Sequence, residues 1–228
     1  MTDTYVARPP SGAGPGVMVL HEWWGPTAGM RAAADRIAAM GNVATLPDLR
    51  PLSGAMVDAI RQLRSGRGEL IDKAMESLDD LLGLPEVTNE QVGIVGFSQG
   101  GALGLLLDGH PAMGALAVNY GMVPADSLRH REIPVVASYG TADRLLPRGS
   151  RPLIRRLSAD GPHDVRMYRG ARHSFMTAPD HAGGRLARMV VGARYDAVFA
   201  DHAWGRIERH LKRHLVTPRQ AESIRPTG

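Results

Sequence analysis

The chain has 228 residues, of which 43% are hydrophobic and 22% charged, with a formal net charge of +4 and no cysteine. That length suits one domain with a sizeable core, and the composition is that of a soluble globular protein rather than a disordered or fibrous one. The missing cysteine excludes disulfides, thiolate metal sites and a cysteine nucleophile.

The apolar pattern predicts elements in the following order. Residues 4–7 form an edge strand, 17–20 the first core strand, 28–40 a helix and 43–46 a strand. A short helical stretch at 56–63 precedes a helix at 69–82, a strand at 92–95 and a helix at 100–107. Strands at 115–118 and 135–139, a helix at 150–158, a strand at 165–168 and a helix at 200–214 complete the series. Short β-rich apolar runs alternating with amphipathic stretches imply an α/β fold: a mostly parallel central sheet with helices on both faces. One domain over residues 1–228 is expected.

Two segments break this rhythm, 50–68 and 177–195, both rich in glycine, proline or arginine. Each follows a strand and is expected at the C-terminal edge of the sheet, where open α/β sheets bind ligands. A rim or lid over a pocket is one reading of each; a loose surface loop is the equal alternative.

The basic residues are nearly all arginine, since Lys73 and Lys212 are the only lysines. The arginine-bearing segments 144–156, 185–194 and 206–219 read as solvated helix faces, with a basic mouth drawing anionic substrates as the lesser reading. No nucleic-acid module appears. The first apolar run is too short for a leader or a membrane span. A cytoplasmic protein with neither nucleic-acid nor membrane partners is therefore expected, and its oligomeric state stays open. There is no HExxH or Walker loop. Gly12-Ala13-Gly14-Pro15-Gly16 precedes a strand instead of following one, so it reads as a turn. No metal or cofactor is expected.

The chemistry concentrates at Gly96-Phe97-Ser98-Gln99-Gly100-Gly101, between an apolar run and a helix-like stretch. A serine between glycines at a strand-to-helix junction is the pattern of a nucleophile elbow, with the hydroxyl lifted off the sheet by a strained turn. Larger residues at 96 and 100 would meet the crossing backbone. An ordinary turn with a capping serine is the plainer alternative.

A serine nucleophile needs a base, and the base an orienting carboxylate, in the order Ser, acid, His for an α/β-hydrolase. Asp143, in Gly140-Thr141-Ala142-Asp143, follows the 135–139 strand and suits the acid; capping the following helix is its other reading. His173 follows the 165–168 strand and is the best base, with His181 its competitor. His21 could line the site, whereas His202, His210 and His214 fall on the last helix in solvated or packing roles. An oxyanion hole would draw on the Gln99 N–H, at a helix N-terminus, and the Trp23 N–H. Trp23 and Trp24 wall the pocket or pack in the core.

Several stretches converge on one family: His21-Glu22-Trp23-Trp24-Gly25, Leu46-Pro47-Asp48-Leu49, residues 92–101, Asn119-Tyr120-Gly121, 140–143, 170–175 and the helix-like 195–215. Through them the chain resembles the dienelactone hydrolases, a branch of the α/β-hydrolase superfamily, over nearly its whole length. The resemblance implies hydrolysis of an activated ester or lactone by Ser98, His173 and Asp143. It also implies a carboxylate, Glu22, beside the nucleophile and a second oxyanion donor at Trp23. Trp24, Tyr120 and Phe175 are expected around the pocket.

Two departures stand out. The family's best-known members carry cysteine where this chain has Ser98. They also carry an arginine shortly after His-Ser-Phe, where this chain continues Met176-Thr177-Ala178. Arg50, Arg61, Arg64, Arg185 and Arg188 are the alternatives for holding a substrate carboxylate. The leading expectation is a serine esterase or lactonase working through an acyl-enzyme. A non-hydrolytic cyclase or dehydratase on the same scaffold and a catalytically silent small-molecule receptor are its rivals.

Overall fold

Seven strands, β1 (Thr4–Ala7), β2 (Gly16–Leu20), β3 (Val43–Pro47), β4 (Val92–Phe97), β5 (Met113–Asn119), β6 (Val135–Gly140) and β7 (His163–Tyr168), form one sheet. Their order is β1-β3-β2-β4-β5-β6-β7. The computed structural model describes residues 4–50, 55–128, 132–157, 161–178 and 192–215. Only β1 runs antiparallel, with Thr4 opposite Pro47; the other neighbours pair in parallel. This is the expected mostly parallel sheet, in the α/β-hydrolase arrangement.

The central strands are buried on both faces, as a parallel sheet under two helical layers requires. Val17 and Val19 of β2 enter one apolar cluster, Met18 and Leu20 the other. Helix α1 (Ala28–Ala39) turns Met30, Ala33, Ala34, Ile37 and Ala38 inward and is capped by Thr27, whose hydroxyl accepts from the Met30 N–H at 3.4 Å. On the opposite layer α3 (Glu69–Leu82) buries Leu70, Ile71, Ala74, Leu78 and Leu81, a stripe at helical spacing. The expected helical stretch near 56–63 is α2 (Met56–Ser65).

The remaining helices differ from expectation at their ends. The stretch after Ser98 is helical only as α4 (Gln99–Gly104), because three of its six residues are glycines, poor helix formers. The predicted helix at 150–158 shrinks to α5 (Arg151–Ile154), which buries Leu153 alone and so lacks an apolar stripe. Helix α6 (Ala197–His214) begins three residues before the expected start. The Asp196 carboxylate accepts from the Phe199 N–H at 3.1 Å and caps it.

Arg206 corrects the reading of the arginine-bearing segments. It is 5% exposed, and its guanidinium reaches the Asp164 carboxylate, the Ala137 and Asp164 carbonyls and the Ser138 hydroxyl. It therefore bolts α6 to β6 and β7 instead of facing solvent. Among the described residues no helix is long and apolar enough to cross a membrane.

Candidate active site

The parallel strands bring the loops after β2, β4, β5, β6 and β7 to one edge of the sheet. β4 ends at Phe97 and α4 starts at Gln99, leaving Ser98 alone to make the turn with φ 52° and ψ −111°. A non-glycine residue there is strained by about 1–3 kcal/mol and needs surrounding contacts to hold it. The Ser98 N–H donates to the Asn119 carbonyl at 2.9 Å, and the Gly100 N–H to the His21 carbonyl at 3.1 Å. The two elbow glycines are required by space. A Cβ on Gly96 would lie 2.3 Å from the Gly100 oxygen, and one on Gly100 would lie 2.1 Å from the Leu20 oxygen.

Ser98 Oγ lies 2.8 Å from His173 Nε2, and His173 Nδ1 lies 2.7 Å from Asp143 Oδ2. A carboxylate can only accept, so Nδ1 carries the imidazole proton and Nε2 is left to accept from the serine hydroxyl. His173 and Asp143 are each 5% exposed. The other Asp143 oxygen accepts from the Leu145 and Leu146 N–H groups at 2.9 and 3.0 Å. Asp143 therefore meets the histidine with one oxygen and closes its own turn with the other; it does not cap the following helix, which begins only at Arg151.

The histidine is held from several sides. Its carbonyl accepts from the Arg194 N–H at 2.9 Å, and the Phe175 carbonyl accepts from the Asp196 N–H at 3.0 Å. The Tyr120 ring meets the imidazole edge-on at 5.1 Å between centroids, and Phe175 packs on Tyr120 at 5.5 Å. Tyr120 and Phe175 are fully buried, so they support the histidine from within the core rather than forming an open wall. Tyr120 and Ser174 also adopt positive φ, 41° and 53°, which places backbone strain on each side of His173 as well as at Ser98.

Tyr139 donates its hydroxyl to the Gly121 carbonyl at 3.0 Å. Burial pushes its phenol pKa up, with the nearby Asp143 charge adding to the effect, so it remains a donor.

Glu22 is 2% exposed and accepts from the Thr177 hydroxyl at 2.8 Å. This bond joins the loop after β2 to the loop after β7. The partners are 155 residues apart, and no local motif signals the pair. Thr177 stands in the stretch where the sequence resemblance expects an arginine.

Gln99 opens α4, and the first N–H groups of a helix have no acceptor within it. Trp23 follows Glu22 in the loop that Gly100 grips through His21. Trp23 is half-buried against the cluster containing Leu20. Trp24 does not belong to the core. It is 38% exposed and lines a cleft of about 500 Å³ with Tyr5, Arg31, Asp48 and Arg50 at the β1–β3 edge.

Of the candidate carboxylate-binding arginines, Arg50 is chelated by Asp48 and Arg61 pairs with Asp58 at 3.1 Å, both on the surface. Arg185, Arg188 and His181 lie outside the described residues, as does most of the 177–195 segment.

The family model for dienelactone hydrolases matches residues 2–215. Protein usf of Aquifex pyrophilus is 34% identical over 116 residues, covering 46% of this chain and 49% of that protein. The chain thus spans about half the length of the curated relatives it matches. A dienelactone hydrolase-like promiscuous phosphotriesterase from metagenomic libraries superposes with a TM-score of 0.76 at 21% identity, over 93% of this chain and 92% of that one. A dienelactone hydrolase from Anabaena variabilis does so with a TM-score of 0.67 at 19% identity, over 93% and 92% of the two chains. At these identities the structural likeness is one of fold.

Proposed function

Since the chain belongs to the dienelactone hydrolase family, we propose that it is a serine hydrolase that cleaves an ester or lactone through an acyl-enzyme on Ser98. The observation that carries this reading is the chain of short contacts, 2.8 Å from Ser98 Oγ to His173 Nε2 and 2.7 Å from His173 Nδ1 to Asp143.

In this scheme His173 Nε2 takes the hydroxyl proton as Ser98 Oγ bonds to the substrate carbonyl carbon. The Gln99 and Trp23 N–H groups receive the charge that develops on the carbonyl oxygen. Asp143 keeps the imidazole in the useful tautomer and stabilises the imidazolium. The tetrahedral adduct collapses with cleavage of the C–O bond, and His173 returns the proton to the leaving alkoxide. Water, deprotonated by the same nitrogen, then attacks the acyl carbon. The acid leaves and Ser98 recovers its proton.

The acyl chemistry and the family support this substrate class; the stretch Met176-Thr177-Ala178, which lacks the arginine of the best-known members, argues against copying their carboxylate-bearing lactone. The test is steady-state hydrolysis of a panel of aryl esters and lactones by wild type and Ser98→Ala. Turnover by wild type that falls by about a millionfold in the variant is expected for a lost nucleophile. Equal turnover by the two proteins would remove Ser98 from the mechanism.

A further inference from the structure

The loop after β2 contains a histidine that the acyl-transfer scheme leaves unused. His21 is 2% exposed, and both ring nitrogens are engaged. Nε2 lies 2.9 Å from the Leu49 backbone nitrogen and Nδ1 lies 2.6 Å from the Glu22 carbonyl oxygen. A backbone N–H can only donate, so Nε2 holds the lone pair and Nδ1 the proton. Burial lowers the imidazole pKa and so favours this neutral form.

The Glu22 carbonyl accepts a second hydrogen bond, from the Gly25 N–H at 3.0 Å. Two donors therefore fix the plane of the Glu22–Trp23 peptide. That peptide is trans, so its N–H points opposite to its carbonyl. The imidazole reaches Leu49, just past the end of β3, and β3 and β4 flank β2 on opposite sides. A carbonyl turned towards the imidazole leaves the Trp23 N–H turned away from it, and β4, the strand that leads into Ser98, lies on the side of β2 opposite β3.

We infer that His21 is a positioning residue. Its Nδ1–H locks the Glu22–Trp23 peptide so that the Trp23 N–H is aimed at the oxyanion. The inference rests on the acyl-transfer reading and adds to it the group that orients the second donor. His21 touches no reacting atom. It acts through the Glu22 carbonyl, and its far nitrogen anchors the ring to the loop after β3.

Two substitutions in the full chain separate aiming from simple tethering. His21→Asn places an amide donor near the Nδ1 position and loses the acceptor for Leu49. His21→Gln extends an acceptor to the Leu49 N–H and loses the donor to Glu22. Each removes one of the two hydrogen bonds, so a tethering role predicts equal effects on turnover. The aiming role predicts kcat within about threefold of wild type for His21→Asn, and a loss of about 10- to 100-fold for His21→Gln with KM little changed. Phosphonylation of Ser98 by a fluorophosphonate should slow in parallel, because the phosphoryl oxygen uses the same donors.

Equal kcat losses in the two variants, or no loss in either, would overturn the inference. If His21→Gln does not fold, His21→Leu, which removes both hydrogen bonds, takes its place: a kcat loss of about tenfold or more beside His21→Asn within threefold supports the inference, and any other outcome overturns it. Failure of the underlying reading is seen separately, as wild type that is not phosphonylated or Ser98→Ala that keeps its turnover.

Discussion

Thr177 and Glu22 form the site's buried contact between the loops flanking the elbow, at 2.8 Å. Replacing the hydroxyl by a methyl group of the same shape removes a donor from a carboxylate that is 2% exposed. Thr177→Val should therefore lower the unfolding free energy by about 1–3 kcal/mol, read from urea denaturation, while Thr177→Ser should recover most of it. Ser98, Asp143 and His173 were legible as candidates because each is a local event, a reactive residue just after an apolar run. Glu22 with Thr177, and His21 with Leu49, were not legible as pairs. Each joins residues far apart in the chain, the first through two side chains and the second through the Leu49 backbone N–H, and sequence spacing holds no trace of either contact. Trp24 shows the opposite case: its motif is clear in the sequence, yet the turn at Gly25, with φ 83°, goes with a place in the cleft beside Arg50.

At the scale of elements, the core strands were readable because parallel strands buried on both faces appear as short unbroken apolar runs. β2 and β4 show this most plainly, with every residue buried. Helix ends were less readable, since α4 and α5 stop where glycines or the lack of an apolar stripe end them, and α6 starts at a cap that the apolar pattern does not include. Arg206 is illegible for a related reason: an arginine in a basic stretch looks solvated until the sheet supplies four acceptor groups, on Ala137, Ser138 and Asp164. Arg206→Met should leave the Ala137 carbonyl and Ser138 hydroxyl without that donor and cost about 2–3 kcal/mol. The Asp164 side chain is 64% exposed and regains water, so it adds little. A shift of the urea midpoint without a change in slope would show this, and an unchanged midpoint would refute the role given to Arg206.

At the scale of the whole molecule, burial favours the neutral imidazole at two buried histidines, His21 and His210. His210, on α6, donates from Nε2 to the Pro134 carbonyl at 3.2 Å. Burial first, and the neighbouring His214 second, push its pKa down to about 4. The unfolded chain takes up this proton near the ordinary histidine value of about 6.5. The native state consequently enjoys its full stability above that pH and loses it progressively as pH falls towards 4. The span corresponds to about 3 kcal/mol, and buried His21 shifts in the same direction. His210→Gln keeps a donor for Pro134 and cannot titrate. Its unfolding free energy should fall less than that of wild type between pH 7 and 4, by about 3 kcal/mol; parallel curves would show that His210 does not contribute.

The seven-stranded sheet gathers the loops, the loops place the side chains, and the proposed hydrolysis requires Ser98 to be the nucleophile. Intact-mass and peptide mass spectrometry after treatment with a fluorophosphonate tests this directly. One phosphonyl group per chain is expected, mapped to Ser98 and missing in Ser98→Ala. A wild-type chain that stays unmodified, or a variant labelled as fully as wild type, would contradict it.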